Sequence, residues 1–174
     1  MKKFLLALVV LSGAAFSSFA QSGKDGGKFS IGLEAGLPIG DAADGYSFAI
    51  GGSLKYDHPL SEGLFVTVSA GYTSLTGKTI TVEVEGEEFS GKVPAFGVVP
   101  VKAGLKYFFS EGFYGEAQAG AAFGTSEGAG TAFLYSPGIG YNFSENVDAG
   151  VRYEAWTKDG GTTSIIGLRV AYSF

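Results

Sequence analysis

The chain reads as an all-β protein: an eight-stranded antiparallel up-and-down barrel that crosses a membrane with its strands and carries a protruding extracellular hairpin. Three observations predict this. Large apolar residues alternate with small or polar ones in eight segments between residues 28 and 174. The connections between segments alternate between short related turns and longer variable loops. The last segment ends Leu168-Arg169-Val170-Ala171-Tyr172-Ser173-Phe174, which puts Leu168, Val170, Tyr172 and Phe174 on one face of a terminal strand. Lipid would cover that face.

The amino-terminal residues predict export. Met1-Lys2-Lys3 is a positive start, residues 4–11 are an apolar run, and Ser18-Phe19-Ala20 fits a small-x-small cleavage site. We expect a signal peptide over residues 1–20, cleaved near Ala20, then a polar, Gly-rich leader over 21–27 and the barrel over 28–174. The apolar run is shorter than the roughly 20 residues of a spanning helix.

Each strand is justified by its alternation. Segment 28–37 sets Phe29, Ile31, Leu33 and Leu37 against Ser30, Gly32, Glu34 and Gly36. Segment 46–57 sets Phe48, Ile50, Leu54 and Tyr56 against Ala49, Gly51, Ser53 and Lys55. Segment 64–73 sets Val66, Val68 and Tyr72 against Thr67, Ser69 and Gly71. Segment 96–109 sets Val101, Leu105, Tyr107 and Phe109 against Lys102, Gly104 and Lys106; its Pro100 lacks an N–H, so a bulge or an unpaired site is expected there. Segments 113–123, 131–143, 147–157 and 163–174 follow the same rule, with Glu116, Gln118, Ser136, Asp148, Arg152, Glu154 and Arg169 on their polar faces.

Three connections are related: 59–63, 110–112 and 144–146 each carry Ser-Glu followed by Gly or Asn. They are expected in the periplasm, with both termini, while 38–45, 74–95, 124–130 and 158–162 face outward. The longest of these alternates again at Thr79-Ile80-Thr81-Val82-Glu83-Val84, and is expected to extend the third and fourth strands as a hairpin.

Composition excludes several functions. The chain has 12 basic and 17 acidic residues, and losing Lys2 and Lys3 leaves 10 against 17, so no basic footprint for nucleic acid exists. With no cysteine and one histidine, there is no disulfide framework and no thiolate or His-rich metal site. That histidine, His58, falls at an expected periplasmic turn, away from any outer-leaflet chemistry, so neither an enzyme nor a cofactor is expected. Glu83, Glu85, Glu87 and Glu88 read as a solvated acidic face rather than a cation site. Trp156, near an outer strand end, reads as an interface anchor.

Alternation alone also fits a soluble ligand-binding barrel with its faces reversed. The small polar residues suit the narrow interior of eight strands, and aromatic residues gather at strand ends, so lipid is expected outside. Parity then places Glu34, Lys55, Lys102, Lys106, Glu116, Arg152, Glu154 and Arg169 in the lumen. Buried charges need partners. Glu34 with Arg169, Lys102 or Lys106 with Glu116, and Arg152 with Glu154 are the candidate pairs. They would form either a plugged core or, as the alternative, a gated narrow pore; the narrow interior favours the plug.

The leader, the eight segments, the Ser-Glu-Gly/Asn turns and the Ala171-Tyr172-Ser173-Phe174 ending resemble the OmpX/OmpA-type small outer-membrane β-barrel family. The resemblance implies residence in the outer membrane of a Gram-negative-type bacterium and a non-enzymatic structural or surface-interaction role. It implies that the barrel assembly machinery reads Leu168, Val170, Tyr172 and Phe174, and that an extracellular partner meets residues 74–95. OmpA-type proteins add a peptidoglycan-binding domain that this sequence does not match, so no cell-wall tether is implied.

Overall fold

The computed structural model describes residues 26–84 and 87–174. The expected signal peptide, its expected cleavage near Ala20, most of the expected leader and Glu85 lie outside the described residues. Among the described residues ten strands and one short helix form: β1 (Lys28–Ile39), α1 (Ala42–Gly45), β2 (Tyr46–Ser61), β3 (Leu64–Gly77), β4 (Thr79–Val84), β5 (Glu87–Lys92), β6 (Phe96–Phe108), β7 (Phe113–Gly124), β8 (Thr131–Asn142), β9 (Val147–Lys158) and β10 (Gly161–Ser173). Eight of them close into an antiparallel barrel in the order β1-β10-β9-β8-β7-β6-β3-β2, and β4 and β5 form a separate two-stranded sheet.

Closure joins β1 to β10 from Ser30↔Ser173 through Glu34↔Arg169 to Ile39↔Ser164. The N–H of Phe174 continues this seam to the carbonyl of Phe29 at 2.9 Å. A closed sheet pairs its backbone polar groups around the circumference, which lipid requires. No described helix is long and apolar enough to cross a membrane, a statement that does not bear on barrels.

The faces follow parity. Ile31, Leu33, Ile50, Leu105, Ile139, Leu168, Val170 and Tyr172 point outward and are exposed, Leu33 at 78%. Ser53, Lys55, Thr67, Ser69, Lys102, Gln118, Ser136 and Arg169 point inward and are buried. Exposed apolar surface of this extent has no place on a water-soluble monomer. The soluble, reversed barrel is thereby excluded.

Several expectations are corrected. The 59–63 turn shrinks to Glu62 and Gly63, because β2 runs on to Ser61 with a register shift between Pro59 and Ser61. His58 is therefore a strand residue opposite Val66. The 158–162 loop shrinks to Asp159-Gly160, both with positive φ (51° and 83°), as a tight primed hairpin turn demands. The 38–45 loop contains α1. The 74–95 segment is a hairpin, yet the ladder does not run through into it, since Lys78 and residues 93–95 separate the two sheets.

Pro100 causes no bulge. It pairs with Ala122 on one side, while on the other the β3–β6 ladder skips Gly71 and Tyr72 and resumes at Thr73↔Val98 in unchanged register. Pro137, which sequence reading passed over, does the same to β8–β9 between Tyr135↔Ala155 and Gly138↔Arg152. A missing N–H removes a rung without moving the strand.

Candidate functional site

The lumen is layered. At the long-loop end, Leu75, Val98, Leu134, Trp156 and Ile165 form an apolar layer with Ala49 and Ala122. Trp156 is thus no interface anchor. It shares the parity of Arg152 and Glu154, lies buried inside, and its indole N–H donates to Glu154 Oε1 at 2.9 Å.

Below that layer, charged side chains fill the barrel. Lys102 Nζ meets Glu154 Oε2 at 2.7 Å, and Arg152 Nε meets the same oxygen at 3.2 Å. The other end of Arg152 holds Glu34. Glu34 also accepts from Ser53 Oγ at 2.6 Å and lies 3.8 Å from Arg169 Nε. Arg169 donates to Ser53 and Ser30, both at 3.1 Å, and its Nη1 is 4.0 Å from Asp148. Asp148 accepts from Tyr114 at 2.8 Å.

A second set lies nearer the short turns. Lys55 Nζ is 3.1 Å from Glu116 and 3.5 Å from Asp57, and Asp57 is 3.2 Å from Lys106. Lys106 also sits 4.1 Å from the centre of the Tyr114 ring, a cation–π contact.

The structure therefore brings all eight predicted charges into the lumen and adds two carboxylates, Asp57 and Asp148. Parity with Lys55 and Arg152 signals both. With them each set is neutral: Lys102, Arg152 and Arg169 against Glu34, Glu154 and Asp148, and Lys55 and Lys106 against Glu116 and Asp57. Neutral, hydrogen-bonded clusters are the form in which buried charge is tolerable.

The pairing differs from expectation in one respect. Lys106 and Glu116 are ladder neighbours, but Lys106 turns to Asp57, Glu116 takes Lys55, and Lys102 reaches Glu154. Glu34 and Arg169 are ladder neighbours at 3.8 Å, with Arg152 the closer partner. Gln118 links Thr67 and Ser69 at 3.0 and 3.3 Å.

Space in the lumen is divided accordingly. Among the described residues, voids between the charges lined by Lys55, Glu116 and Arg152 and by Glu34, Arg152 and Glu154 are about 20 Å³ each, near the size of one water. At either end a vestibule opens, about 400 Å³ at the long-loop end and about 310 Å³ at the short-turn end. Among the described residues no group of three or more His, Asp or Glu side chains is placed to hold a metal ion.

A family model for the outer membrane protein beta-barrel domain matches residues 5–174. The chain belongs to that family. The fold of this outer-membrane barrel is shared with solved structures. Ail, the attachment invasion locus protein of Yersinia pestis, is 22% identical with a TM-score of 0.56, over 86% of this chain and 99% of Ail. The N-terminal β-barrel domain of Pseudomonas aeruginosa OprF is 17% identical with a TM-score of 0.54, over 84% of this chain and 97% of that domain. A de novo designed transmembrane β-barrel is 15% identical with a TM-score of 0.54, over 88% of this chain and all of that one (100%). No curated protein sequence matches the chain. At these identities the neighbours show the fold alone.

Proposed function

We propose that this outer-membrane barrel is a non-enzymatic, non-conducting scaffold whose work is done by the segments it displays, residues 74–95 foremost, in a surface-interaction role of the adhesive kind. The observation that carries this reading is the lumen: two neutral charge clusters leave voids of about one water each between the vestibules. The hairpin β4–β5, projecting on its own sheet, supports the display role.

Ail has also been solved with sucrose octasulfate, a heparin analogue. The loops here favour a different partner. Segments 40–45, 78–95, 125–130 and 158–160 carry eight carboxylates against three lysines, which repels polyanions. A neutral or basic protein surface suits them.

Delivery fits the same reading. A cleaved leader over residues 1–20 sends the chain to the periplasm, the assembly machinery recognises the strand of Leu168, Val170, Tyr172 and Phe174, and the long loops end outside. The register of β10 against β1 supports this order, since it makes the terminal strand the one that closes the barrel.

The test is conductance. The folded protein in a planar bilayer is expected to be silent, and to remain so with Arg152→Ala. Discrete channels in the unmodified protein, altered by that substitution, overturn the reading in favour of a gated narrow pore. In parallel, replacing residues 79–92 by a two-residue turn is expected to abolish cell-surface binding while the heat-modifiable gel shift persists.

A further inference from the structure

The vestibule at the long-loop end has a chemistry that neither closure nor membrane residence explains. Its floor is apolar: Val98, Ala122, Ala132, Phe96 and Trp156 line it. The vestibule at the other end also has apolar wall residues, Phe65, Phe108 and Val147, but Lys28, Asp57, Lys106 and Asp148 stand among them, three of these charges already held in the lumen clusters. At about 400 Å³, the outer vestibule falls within the size range of small-molecule sites, roughly 300–1,000 Å³. Its apolar walls face water, so an apolar occupant would displace water from them at a gain of roughly 25 cal/mol per Å².

The rim supplies a polar handle. Lys158 lines the same vestibule, and its Nζ donates to the carbonyl of Ala129 at 2.8 Å. Its nearest carboxylate, Asp159, is 3.9 Å away, at the limit of an ion pair, and is itself turned to solvent. An ammonium has three donors, so Lys158 retains capacity for an anion at the edge of an apolar cup. Asp41 also lines the mouth and limits the site to ligands of low charge.

The geometry points to a binding site for a small aromatic monocarboxylate of one or two fused rings, its apolar body on the Trp156 floor and its carboxylate at Lys158. A cavity of about 150 Å³ already holds benzene, so a bicyclic body fits. Approach from outside the cell rests on the proposed orientation of the loops; binding itself does not.

Trp156 is the only tryptophan of the chain and lies in the floor, so energy transfer from it reports occupancy directly. The folded protein in phospholipid nanodiscs is titrated with dansylglycine and, separately, with neutral dansylamide. Saturable transfer is expected for both. Lys158→Gln is expected to weaken dansylglycine about three- to fivefold, the range of an exposed ion pair, and to leave dansylamide unchanged. Ala122→Phe is expected to abolish saturable transfer for both probes, and Ala132→Phe is the second filled variant should the first fail its heat-modifiability check. Non-saturating transfer that is identical in all variants places the probes in lipid and overturns the site. Saturable transfer indifferent to a filled, folded variant also overturns it. An unchanged dansylglycine titration in Lys158→Gln overturns the carboxylate assignment.

Discussion

Lys102 and Glu154 give the sharpest test of a closed lumen. Their side chains are 3% and 5% exposed and meet at 2.7 Å. Glu154 is the single ion-pair partner of Lys102 among the described residues, whereas Glu154 also has Arg152 at 3.2 Å and the Trp156 indole at 2.9 Å. Glu154→Gln keeps the shape and an acceptor for Trp156 but leaves Lys102 as a buried cation without its direct ion-pair partner, and its cluster at one excess positive charge. Orphaning a buried charge costs about 3–5 kcal/mol. Lys102→Met leaves Glu154 with Arg152, so its cost falls at the lower end, about 3 kcal/mol. The double variant restores neutrality and is expected to cost about 1–2 kcal/mol, because replacing a buried pair by neutral groups of similar volume is near neutral. The coupling energy is then at least about 4 kcal/mol, well outside the additivity expected of independent sites. The assay is a urea titration in phospholipid vesicles, with the folded fraction read from the heat-modifiable gel band. With m of about 1–3 kcal/mol/M, a loss of 3 kcal/mol moves the midpoint by roughly 1–3 M. Single variants that are each cheap, with additive effects, would mean that both charges are hydrated in an open aqueous lumen. That result refutes both the burial argument and the non-conducting reading.

Three further outcomes are expected. Leu33→Arg puts a cation on the lipid face, where Leu33 is 78% exposed, and should cost about 2–4 kcal/mol if it lies near the bilayer midplane; a urea midpoint equal to the parent's would deny that this face meets acyl chains. Gly104→Ala drives a Cβ into the carbonyl of Ala117 and within 2.6 Å of the Gln118 Cα, an overpacking expected to cost about 1–3 kcal/mol; the same titration checks it, and a neutral outcome would show that β6 and β7 are less closely apposed. Pro100→Ala restores an N–H opposite Gly71 in unchanged register. Its amide should be as protected in hydrogen exchange as those of Val101 and Lys102, whereas fast exchange would show that β3 and β6 are splayed there.

Strand count, strand face and the identity of the lumen charges were legible because a period of two assigns each residue to one face or the other. Misreadings arose where a second cue competed with that rule. Trp156 sits near a strand end, where aromatic residues form girdles, yet its parity with Glu154 puts it inside. Asp57 was passed over beside an expected turn that begins three residues later than thought, at Glu62. Asp159-Gly160 was taken into a five-residue loop, although Asp-Gly is the pair that a two-residue primed turn selects. Which charge meets which was legible only in part: Glu34 with Arg169 and Arg152 with Glu154 are found, whereas Glu116 takes Lys55 rather than Lys102 or Lys106. Parity gives a face and register gives ladder neighbours, but the partners of Lys102, Lys106, Lys55 and the closer partner of Arg152 sit on strands that are not adjacent.

That last point bears on why charges occupy the lumen. Lys102 on β6 reaches Glu154 on β9, Lys55 on β2 reaches Glu116 on β7, and Arg152 on β9 reaches Glu34 on β1. In the closed order each of these pairs has at least one strand between its members, so the ion pairs brace the barrel across its width while the ladders hold its circumference. The two systems guard against different errors. A slip of one residue reverses every side chain of a strand and is forbidden by lipid on one face and charge on the other. A slip of two residues keeps both faces intact, so hydrophobicity cannot oppose it. Such a slip moves each inward charge by about 6.6 Å along the strand, two rises of about 3.3 Å, which breaks contacts of 2.7–3.2 Å such as those of Lys102 and Lys55. Register in this barrel is thus discriminated by cross-lumen pairs where apolar patterning is blind, and the neutrality of each cluster keeps the desolvation cost of that discrimination within reach of its Coulombic return.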